Sequence, residues 1–308
     1  MPFPSLGATV PTLAPFQFSF LGYTFGGLAD PMQIQKIEGL DVGSVRSGDA
    51  GRARDAGRFV GLDLLDGRDI TITADVLLTL ANWQRLAAVI LPGGIVESPL
   101  WFGLPGWGTM ACMARVRKHS APIDIQSALS TLTNITIQFS ASDPRLYLAP
   151  TLGPSVGLPN PTAGFSFPLR FNLGFGGGAS SVGVLQAVNT GNIESRPLLL
   201  VTGPCTTPTI QNQSAPGAPY VSFAVTMAAG DTMLIDTDMH TATYYVAGTT
   251  IGAPRAAFLQ PGSSWWTLLP AGVANSVPGG VNTIAFSSQD QTQVAGTLQV
   301  QYASAWIL

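Results

Sequence analysis

Hydrophobic and polar residues alternate in short runs through most of the first half of the chain. Phe16, Phe18 and Phe20 alternate in FQFSF, and the same two-residue period recurs in MQIQKIEGL (32–40) and RDITITADV (68–76). Because successive side chains of a strand point to opposite faces, this period predicts half-buried β-strands. Three later runs, at 98–106, 109–121 and 132–144, predict further strands joined by turns.

One segment has a helical period instead. Asp75 is a candidate N-cap, and the Pro-Gly-Gly at 92–94 predicts where the helix ends. Between them the apolar residues fall three or four positions apart: Val76, Leu80, Trp83, Leu86, Ala87 and Ile90. The first half is therefore predicted to be a β-sandwich with one short helix packed on it.

A segment rich in Gly, Asp and Arg interrupts the strands of the first half. Residues 43–58 contain almost no bulky apolar side chains, so they offer little to bury, and we expect a long exposed loop. The arginines of RSGDAGRARDAGR (46–58) are partly balanced by Asp49 and Asp55, which argues against an anion site. A solvated loop, or one that becomes ordered against a neighbouring subunit, fits this composition.

The second half contains only short alternating runs and turn residues. Nine such runs, from SFPLRFNLGF (166–175) to GTLQVQYASAWIL (296–308), predict strands, and none has a helical period. The fold class predicted for the chain is therefore mostly β, with a second β-sandwich or jelly roll after the first. The 35 glycines and 24 prolines agree with many tight turns.

Charge divides the chain near residue 150. Residues 1–150 carry 23 of the 31 charged side chains, and residues 149–164 have the Pro, Gly and Asn content of a linker. We predict domains at 1–150 and 165–308. A half with so few charges can have surface covered by another subunit, although Thr, Ser, Gln and Asn also supply polarity there.

The overall charge and the cysteines exclude several classes of protein. The net charge is −3, and no basic run exceeds RVRKH (115–119), so no sequence-specific binding of nucleic acid is expected. Cys112 and Cys205 are too few for a disulfide framework, although one bridge remains open. Residues 1–18 lack a basic region and are broken by proline, so no signal peptide is expected. The uncharged stretch 197–230 is too rich in Pro, Thr, Gly and Asn for a membrane span.

Asp236, Asp238 and His240 form the best candidate metal site. On a strand these three side chains would share one face, within reach of one ion. Zinc needs three or four ligands, however, and the other histidine, His119, lies in the basic run. A hairpin whose aspartates bond their own backbone explains the pattern better, so neither a metal nor a cofactor is expected.

The sequence also argues against catalysis. It contains no GxSxG or HExxH, and two histidines leave few candidates for a general base. The GFGGG segment at 174–178 lacks the Lys-Ser/Thr and the following helix of a phosphate loop. A pair of catalytic carboxylates is possible by residue type alone, but most acids of the first half lie in polar loops. We expect a protein that is not an enzyme.

Trp265 and Trp266 are the candidate ligand-binding residues. One of them could stack on a sugar or contact a protein partner, as exposed tryptophans often do. Neighbours on a strand face opposite sides, so at most one of the pair should lie in the core. The simpler interpretation, which we favour, is that one ring is buried and a loop shields the other.

The order of several short motifs resembles that of siphophage distal tail proteins, particularly those of actinobacterial phages and prophages. The motifs of the first half are IEGLD (37–41), GRDITITADV (67–76), ESPLWFGLPGWG (97–108), ARVRK (114–118) and QFSASDPRLY (138–147). Those of the second half are NTGNIESRPLLLVTGPCTTPTIQN (189–212), AAGDTMLIDTDMHTATYY (228–245), SSWWTLLPAGVANS (263–276) and NTIAF (282–286). The similarity spans nearly the whole chain.

This resemblance implies a structural virion protein. Distal tail proteins typically form a hexameric ring at the distal end of the phage tail, after assembly in the host cytoplasm. Their first domain forms the ring and joins the tail tube. Their second, galectin-like domain projects outward to hold the tail-tip hub, receptor-binding or minor tail proteins. The alternative is a carbohydrate-binding tail module that contributes to host-surface attachment through Trp265 or Trp266.

Overall fold

The computed structural model describes residues 9–27, 30–41, 43–52, 54–77, 79–92, 94–122, 131–159, 183–271, 278–290 and 295–308. The predicted strand at 166–175 and the GFGGG segment lie outside these residues. By its internal contacts the described chain forms two units. The first contains Thr9–Ala149 and Trp306–Leu308, and the second contains Pro150–Ala305.

The part of the first unit that the structure describes contains twelve strands and one helix. The strands are β1 (Gln17–Phe20), β2 (Tyr23–Gly26), β3 (Met32–Glu38), β4 (Val45–Arg46), β5 (Ala50–Gly51), β6 (Arg58–Phe59), β7 (Leu64–Leu65), β8 (Arg68–Leu77), β9 (Ser98–Leu104), β10 (Gly108–Ser120), β11 (Thr131–Ala141) and β12 (Leu146–Leu148). The helix, α1, spans Leu80–Ile90. Seven strands form an antiparallel path in the order β2-β1-β9-β10-β11-β8-β3.

The long strand β10 joins the two halves of this sheet. Gly108–Ala114 pairs with β9, and Arg115–Ser120 pairs with β11 after a register shift between Val116 and Lys118. The two halves then face each other across a common core. Phe18 and Phe20 of β1 pack edge-on against Phe139 of β11, at ring-centre distances of 6.3 and 5.1 Å. These contacts join strands that are not neighbours in the sheet, as in a sandwich.

Helix α1 begins four residues later than the sequence predicts. Thr79 is the N-cap, and its hydroxyl accepts the N–H of Asn82. Asp75 lies in β8 instead, where its carboxylate accepts the backbone N–H of Asn134 at 2.8 Å. Pairing of β8 with both β3 and β11 keeps this segment extended through Val76. The helix ends at Ile90, just before the predicted Pro-Gly-Gly stop, and buries Leu86, Val89 and Ile90.

Two other local predictions for the first unit are corrected. Phe16 lies outside β1, with a positive φ of 60°, so only Phe18 and Phe20 of the predicted trio reach the core. The predicted loop 43–58 is exposed as expected, but it is not irregular throughout. It forms part of a narrow hairpin in which β4 pairs with β7 and β5 pairs with β6.

The described part of the second unit contains two larger antiparallel sheets and a two-stranded one, in which Cys205–Thr206 pairs with Thr226–Met227. Its strands are β13 (Thr151–Leu152), β14 (Val156–Gly157), β15 (Val184–Val188), β16 (Leu198–Thr202), β17 (Cys205–Thr206), β18 (Thr209–Asn212), β19 (Tyr220–Ser222), β20 (Thr226–Met227), β21 (Thr232–Asp236), β22 (Thr241–Tyr245), β23 (Ala253–Pro254), β24 (Val281–Ser287) and β25 (Thr297–Tyr302). A further strand, β26 (Ala305–Trp306), follows β25 and pairs with β12. Two 3-10 turns lie at Ala256–Phe258 and Pro278–Gly280.

These two sheets enclose the core of the second unit. One has the order β13-β25-β16-β21-β22-β23, with β14 also on β25, and the other has the order β15-β24-β18-β19. Alternate residues of β24 are buried, as the two-residue period of the sequence predicts. The mostly β fold class, with one short helix and sandwich architecture, is confirmed.

Candidate functional site

The structure separates the two predicted ligand-binding tryptophans. Trp266 is 4% exposed, and its indole N–H donates to the carbonyl of Ile210 at 3.3 Å. Its ring belongs to the core of the second unit and offers no face to a ligand, which corrects its assignment. Trp265 is half-buried, and its ring stacks on His240 with ring centres 4.9 Å apart and an angle of 10° between the planes.

Neither tryptophan lies in a strand, although the sequence predicts one there. The segment makes only an isolated bridge, between Leu268 and Ser195. The Trp265 ring also packs edge-to-face against the Phe223 ring, with ring centres 6.3 Å apart. Two other aromatic side chains thus contact the half-buried Trp265 ring.

Three buried asparagines hold this segment in place. Asn282 accepts the N–H of Leu269 and donates to the carbonyls of Leu269 and Gly280, at 2.9 to 3.0 Å. Asn212 donates to the carbonyl of Thr267, and Asn189 donates to that of Leu268. Buried backbone N–H and carbonyl groups need hydrogen-bond partners. Here the side-chain amides supply the hydrogen bonds that a neighbouring strand would otherwise provide.

The stretch that contains Asp236, Asp238 and His240 is a turn between β21 and β22. The Asp236 carboxylate is buried and accepts the N–H groups of Asp238 and Met239, at 2.8 and 3.0 Å. Burial raises the pKa of Asp236, and those two bonds oppose that shift. Asp238 forms an ion pair with Arg196. His240 has a φ of 53° and stacks on Trp265 instead.

The three side chains therefore point to different partners and do not converge on one point. No group of three metal-ligating side chains occurs among the described residues. The alternating pattern suggests that the three side chains share one face of a strand. The strand ends at Asp236, however, so the residues after it form a hydrogen-bonded turn. This turn positions His240 over Trp265.

A second carboxylate fixes the outer end of the same hairpin. Asp231 accepts the hydroxyl of Tyr244 and the N–H groups of Ala247 and Ala228, at 2.9 and 2.8 Å for the two backbone donors. The hydroxyl of Tyr244, together with these N–H groups, lowers the pKa of Asp231. Burial and the bond to Asp231 raise the pKa of Tyr244 to about 12. These bonds have a structural role in closing the β21–β22 hairpin.

The two cysteines do not provide a nucleophile. Both thiols are free and buried, Cys112 in the core of the first unit and Cys205 in that of the second. Burial raises the pKa of Cys112 to about 12 and that of Cys205 to about 11. A thiol that holds its proton at neutral pH is unreactive. The bridge that the sequence leaves open is not formed.

A hairpin of the first unit, which we call the arm (residues 45–65), carries several exposed apolar side chains. Its strands are held by the ladders β4–β7 and β5–β6 and by a bond from Gly48 N–H to the Leu62 carbonyl. They cross so closely that a Cβ at Gly61 would lie 2.2 Å from the Gly48 carbonyl. The arm exposes Phe59, and Val60 is 94% exposed.

A buried arginine fixes the base of the arm. Arg68 is 2% exposed and follows the arm directly. Its guanidinium donates to the carbonyls of Gly39 and Leu40, which precede the arm, and to that of Pro144 at 2.9 Å. Burial lowers the pKa of Arg68, so its charge is held there at a cost that these carbonyls offset. The arm is thus attached to the sheet at both of its roots.

Exposed apolar side chains are unevenly divided between the units. Of the nineteen large hydrophobic side chains described as exposed, fourteen lie in the first unit. Five of these belong to the arm: Val45, Phe59, Val60, Leu62 and Leu64. Exposed apolar side chains that form one contiguous patch usually mark a contact with another molecule. The sequence contains these apolar residues, but it does not show that they lie outside the hydrophobic core.

None of the described helices is long and apolar enough to cross a membrane. The one α-helix in the described ranges has 11 residues.

The order of elements, a helix-bearing β unit followed by a β-sandwich, defines a fold found in the adsorption apparatus of phages. The Dit protein (gp 19.1) of phage SPP1, described as a paradigm of the hub adsorption apparatus in phages that infect Gram-positive bacteria, matches with a TM-score of 0.60. The match has 14% identity and covers 94% of this chain and 98% of that one.

Two chains from the phage P2 baseplate in its activated conformation, with Ca or Sr, match with TM-scores of 0.51 and 0.50. Each has 10% identity and covers 92% of this chain and 97% of its own. No protein-family model matches the sequence, and no curated protein sequence matches it. The predicted resemblance to phage tail-tip proteins is therefore confirmed for the fold.

Proposed function

We propose that the protein is a structural component of a phage virion, a distal tail adaptor that acts by assembly and not by catalysis. Copies of the chain form a ring, six by analogy with distal tail proteins, which joins the tail tube to the tail-tip hub and to receptor-binding or minor tail proteins. The ring is assembled in the host cytoplasm and lies at the distal end of the tail. The observation that carries this proposal is the match to the SPP1 hub protein over nearly the full length of both chains.

The surface of the first unit supports the ring. A closed ring needs two different, complementary faces on each copy. A two-stranded hairpin is at best marginally stable alone in water, so an arm with exposed apolar side chains is expected to pack against a partner. Four arginines and three aspartates on the arm, including the ion pair of Arg52 with Asp55, keep it soluble before assembly.

Native mass spectrometry of the purified chain, with electron microscopy of the same sample, tests the ring. We expect one closed oligomer with a central channel. A chain that remains monomeric at its highest soluble concentration would contradict self-assembly. Antibody labelling of intact particles tests the location independently. Label found away from the tail tip would contradict the adaptor role even if rings form.

The second candidate function is carbohydrate binding at the host surface. The observation that favours it is the partial exposure of Trp265, whose ring is covered by His240 on one face only. Glycan-array binding that is lost in Trp265→Ala, but retained in Trp107→Ala, would support it. Trp107 is an exposed tryptophan of the first unit and is the matched control. Absence of binding by the intact ring would exclude it.

A further inference from the structure

One arginine of the second unit lies against two aromatic rings. The guanidinium carbon of Arg255 is 5.4 Å from the centre of the Tyr244 ring and 5.0 Å from that of the Phe258 ring. Aromatic rings at this distance attract a guanidinium group electrostatically. They also limit the directions in which the long arginine side chain can point. We call Tyr244, Arg255 and Phe258 the arginine clamp.

Hydrogen bonds hold each member of the clamp in place. The N–H of Arg255 donates to the Ala242 carbonyl in β22 at 2.7 Å, and the N–H of Phe258 donates to the Arg255 carbonyl at 2.9 Å. The second bond closes a 3-10 turn, in which residues three positions apart lie on the same side. Tyr244 is fixed independently, because its hydroxyl donates to Asp231. The clamp is therefore ordered before a ligand binds, which lowers the entropy cost of binding.

The positive charge of Arg255 has no acidic partner among the described residues. The described part of the second unit contains one other arginine, Arg196, which forms an ion pair with Asp238, and it contains no lysine. Arg255 is only partly buried, so a molecule outside the chain can reach it. The clamp thus holds an unpaired cation at the surface.

The chemistry of the clamp selects the ligand. A guanidinium group presents a planar fork of N–H donors, which fits a carboxylate or a phosphate with two parallel hydrogen bonds. A phosphate carries close to two negative charges at neutral pH, and one arginine leaves part of that charge unbalanced. A carboxylate carries a single charge, which Arg255 balances.

We infer that the arginine clamp binds one carboxylate of a partner protein, on an Asp or Glu side chain that has apolar neighbours. Apolar surface lies beside the charge, since Phe258 is 44% exposed and Ile251, on the loop between β22 and β23, is 85% exposed. Arginine and aromatic side chains are also enriched at the centres of protein interfaces. The inference rests on the proposed adaptor role and assigns the second unit a defined contact for a protein that it holds.

Saturation-transfer NMR with blocked peptides tests the clamp, because it detects weak ligands of rings and monomers alike. The probes are acetyl-Leu-Glu-Leu-amide and its uncharged match, acetyl-Leu-Gln-Leu-amide. We expect the Glu peptide to bind the full chain about tenfold more tightly, through one charge-assisted contact. Methyl glucuronoside, which carries a carboxylate on a sugar, is the third probe. If it binds through Arg255 as tightly as the Glu peptide, the ligand is an anionic sugar and the inferred protein partner is wrong.

Matched variants locate the binding. Arg255→Gln should abolish the preference for the Glu peptide, and Arg255→Lys should weaken it, because an ammonium group has no planar fork. Arg54→Gln removes an exposed arginine of the arm and should change nothing. Equal binding by Arg255→Gln and the wild-type chain would overturn the inference and leave the proposed ring standing. Binding selective for the Glu peptide by a chain that never assembles would support the clamp and contradict the ring.

Discussion

The two units have similar cores but different surfaces. The first carries 23 of the 31 charged residues and fourteen of the nineteen exposed large hydrophobic side chains. The second is poor in both, and its surface polarity comes from uncharged side chains. A low charge therefore does not by itself indicate a covered surface. The unit that is rich in charge is the one that exposes apolar groups, and charged side chains raise the solubility of such a surface.

The largest effect is expected where exposed apolar side chains are removed from the arm. A triple variant with Phe59, Val60 and Leu62 each replaced by Ser should weaken assembly about 1,000-fold, at about 1.5 kcal/mol per apolar side chain. Sedimentation velocity over a concentration series measures this. The control is Val246→Ser with Ile251→Ser, two exposed apolar residues of the second unit. If assembly weakens equally in the triple variant and in the control, the exposed apolar residues of the two units contribute alike to assembly.

The next largest effect is expected inside the second unit. Asn282→Leu deletes the donors and the acceptor that hold Leu269 and Gly280. The buried N–H and carbonyl of Leu269 lose these partners, whereas the Gly280 carbonyl keeps the N–H of Asn189. We expect a loss of about 3 kcal/mol in the free energy of unfolding, measured by urea denaturation monitored through tryptophan fluorescence. Thr250→Ala, on an exposed loop, should change nothing. A loss below 1 kcal/mol would show that the amides are dispensable.

A smaller loss is expected at the base of the arm. Arg68→Met removes the guanidinium from three carbonyls, but it also relieves the cost of burying a charge, so the net loss should be about 2 kcal/mol. Urea denaturation of the full chain, followed through the unfolding of the first unit, measures this loss in the free energy of unfolding. Arg54→Met removes an exposed arginine from the arm and is the matched control. Equal stability of the two variants would mean that Arg68 does not hold the arm.

The smallest effect concerns Tyr244 and alkaline pH. Because its pKa is raised to about 12 in the folded chain, the protonated phenol stabilises the fold fully below pH about 10, the ordinary tyrosine pKa. That contribution is lost as the pH rises toward 12. Wild-type stability should therefore fall more steeply than that of Tyr244→Phe over this range. Thermal unfolding at a series of pH values measures the difference, and parallel curves would contradict it. Tyr302→Phe, at the end of β25, is the matched control.

Periodicity predicts the elements well where side chains alternate against one core. The strands at 68–76 and 281–287, and the end of the helix before Pro92, follow directly from the sequence. The start of the helix does not, because Asp75 and Thr79 both suit an N-cap. Only the pairing of β8 on both sides, which is a long-range contact, decides between them.

The candidate sites depend even more on long-range contacts. Nothing local to Asn189, Asn212 or Asn282 shows that they meet around one irregular segment, so the sequence leads to a strand at Trp265 and Trp266 instead. Likewise, Phe59 and Val60 look like ordinary strand residues. They are exposed because no second layer of the described structure packs over the arm. A short sequence pattern carries no information about such packing.

The return of Trp306–Leu308 to the first unit makes the second unit an insertion within the first. Its incoming strand β13 pairs with its outgoing strand β25, with Thr151 opposite Tyr302, so the two ends of the insertion lie side by side. Modules with adjacent ends can be exchanged for others without disturbing the host domain. Evolution could therefore exchange the second unit for another module while keeping the first unit. A single proteolytic cut near residue 150 would still leave the two parts covalently joined.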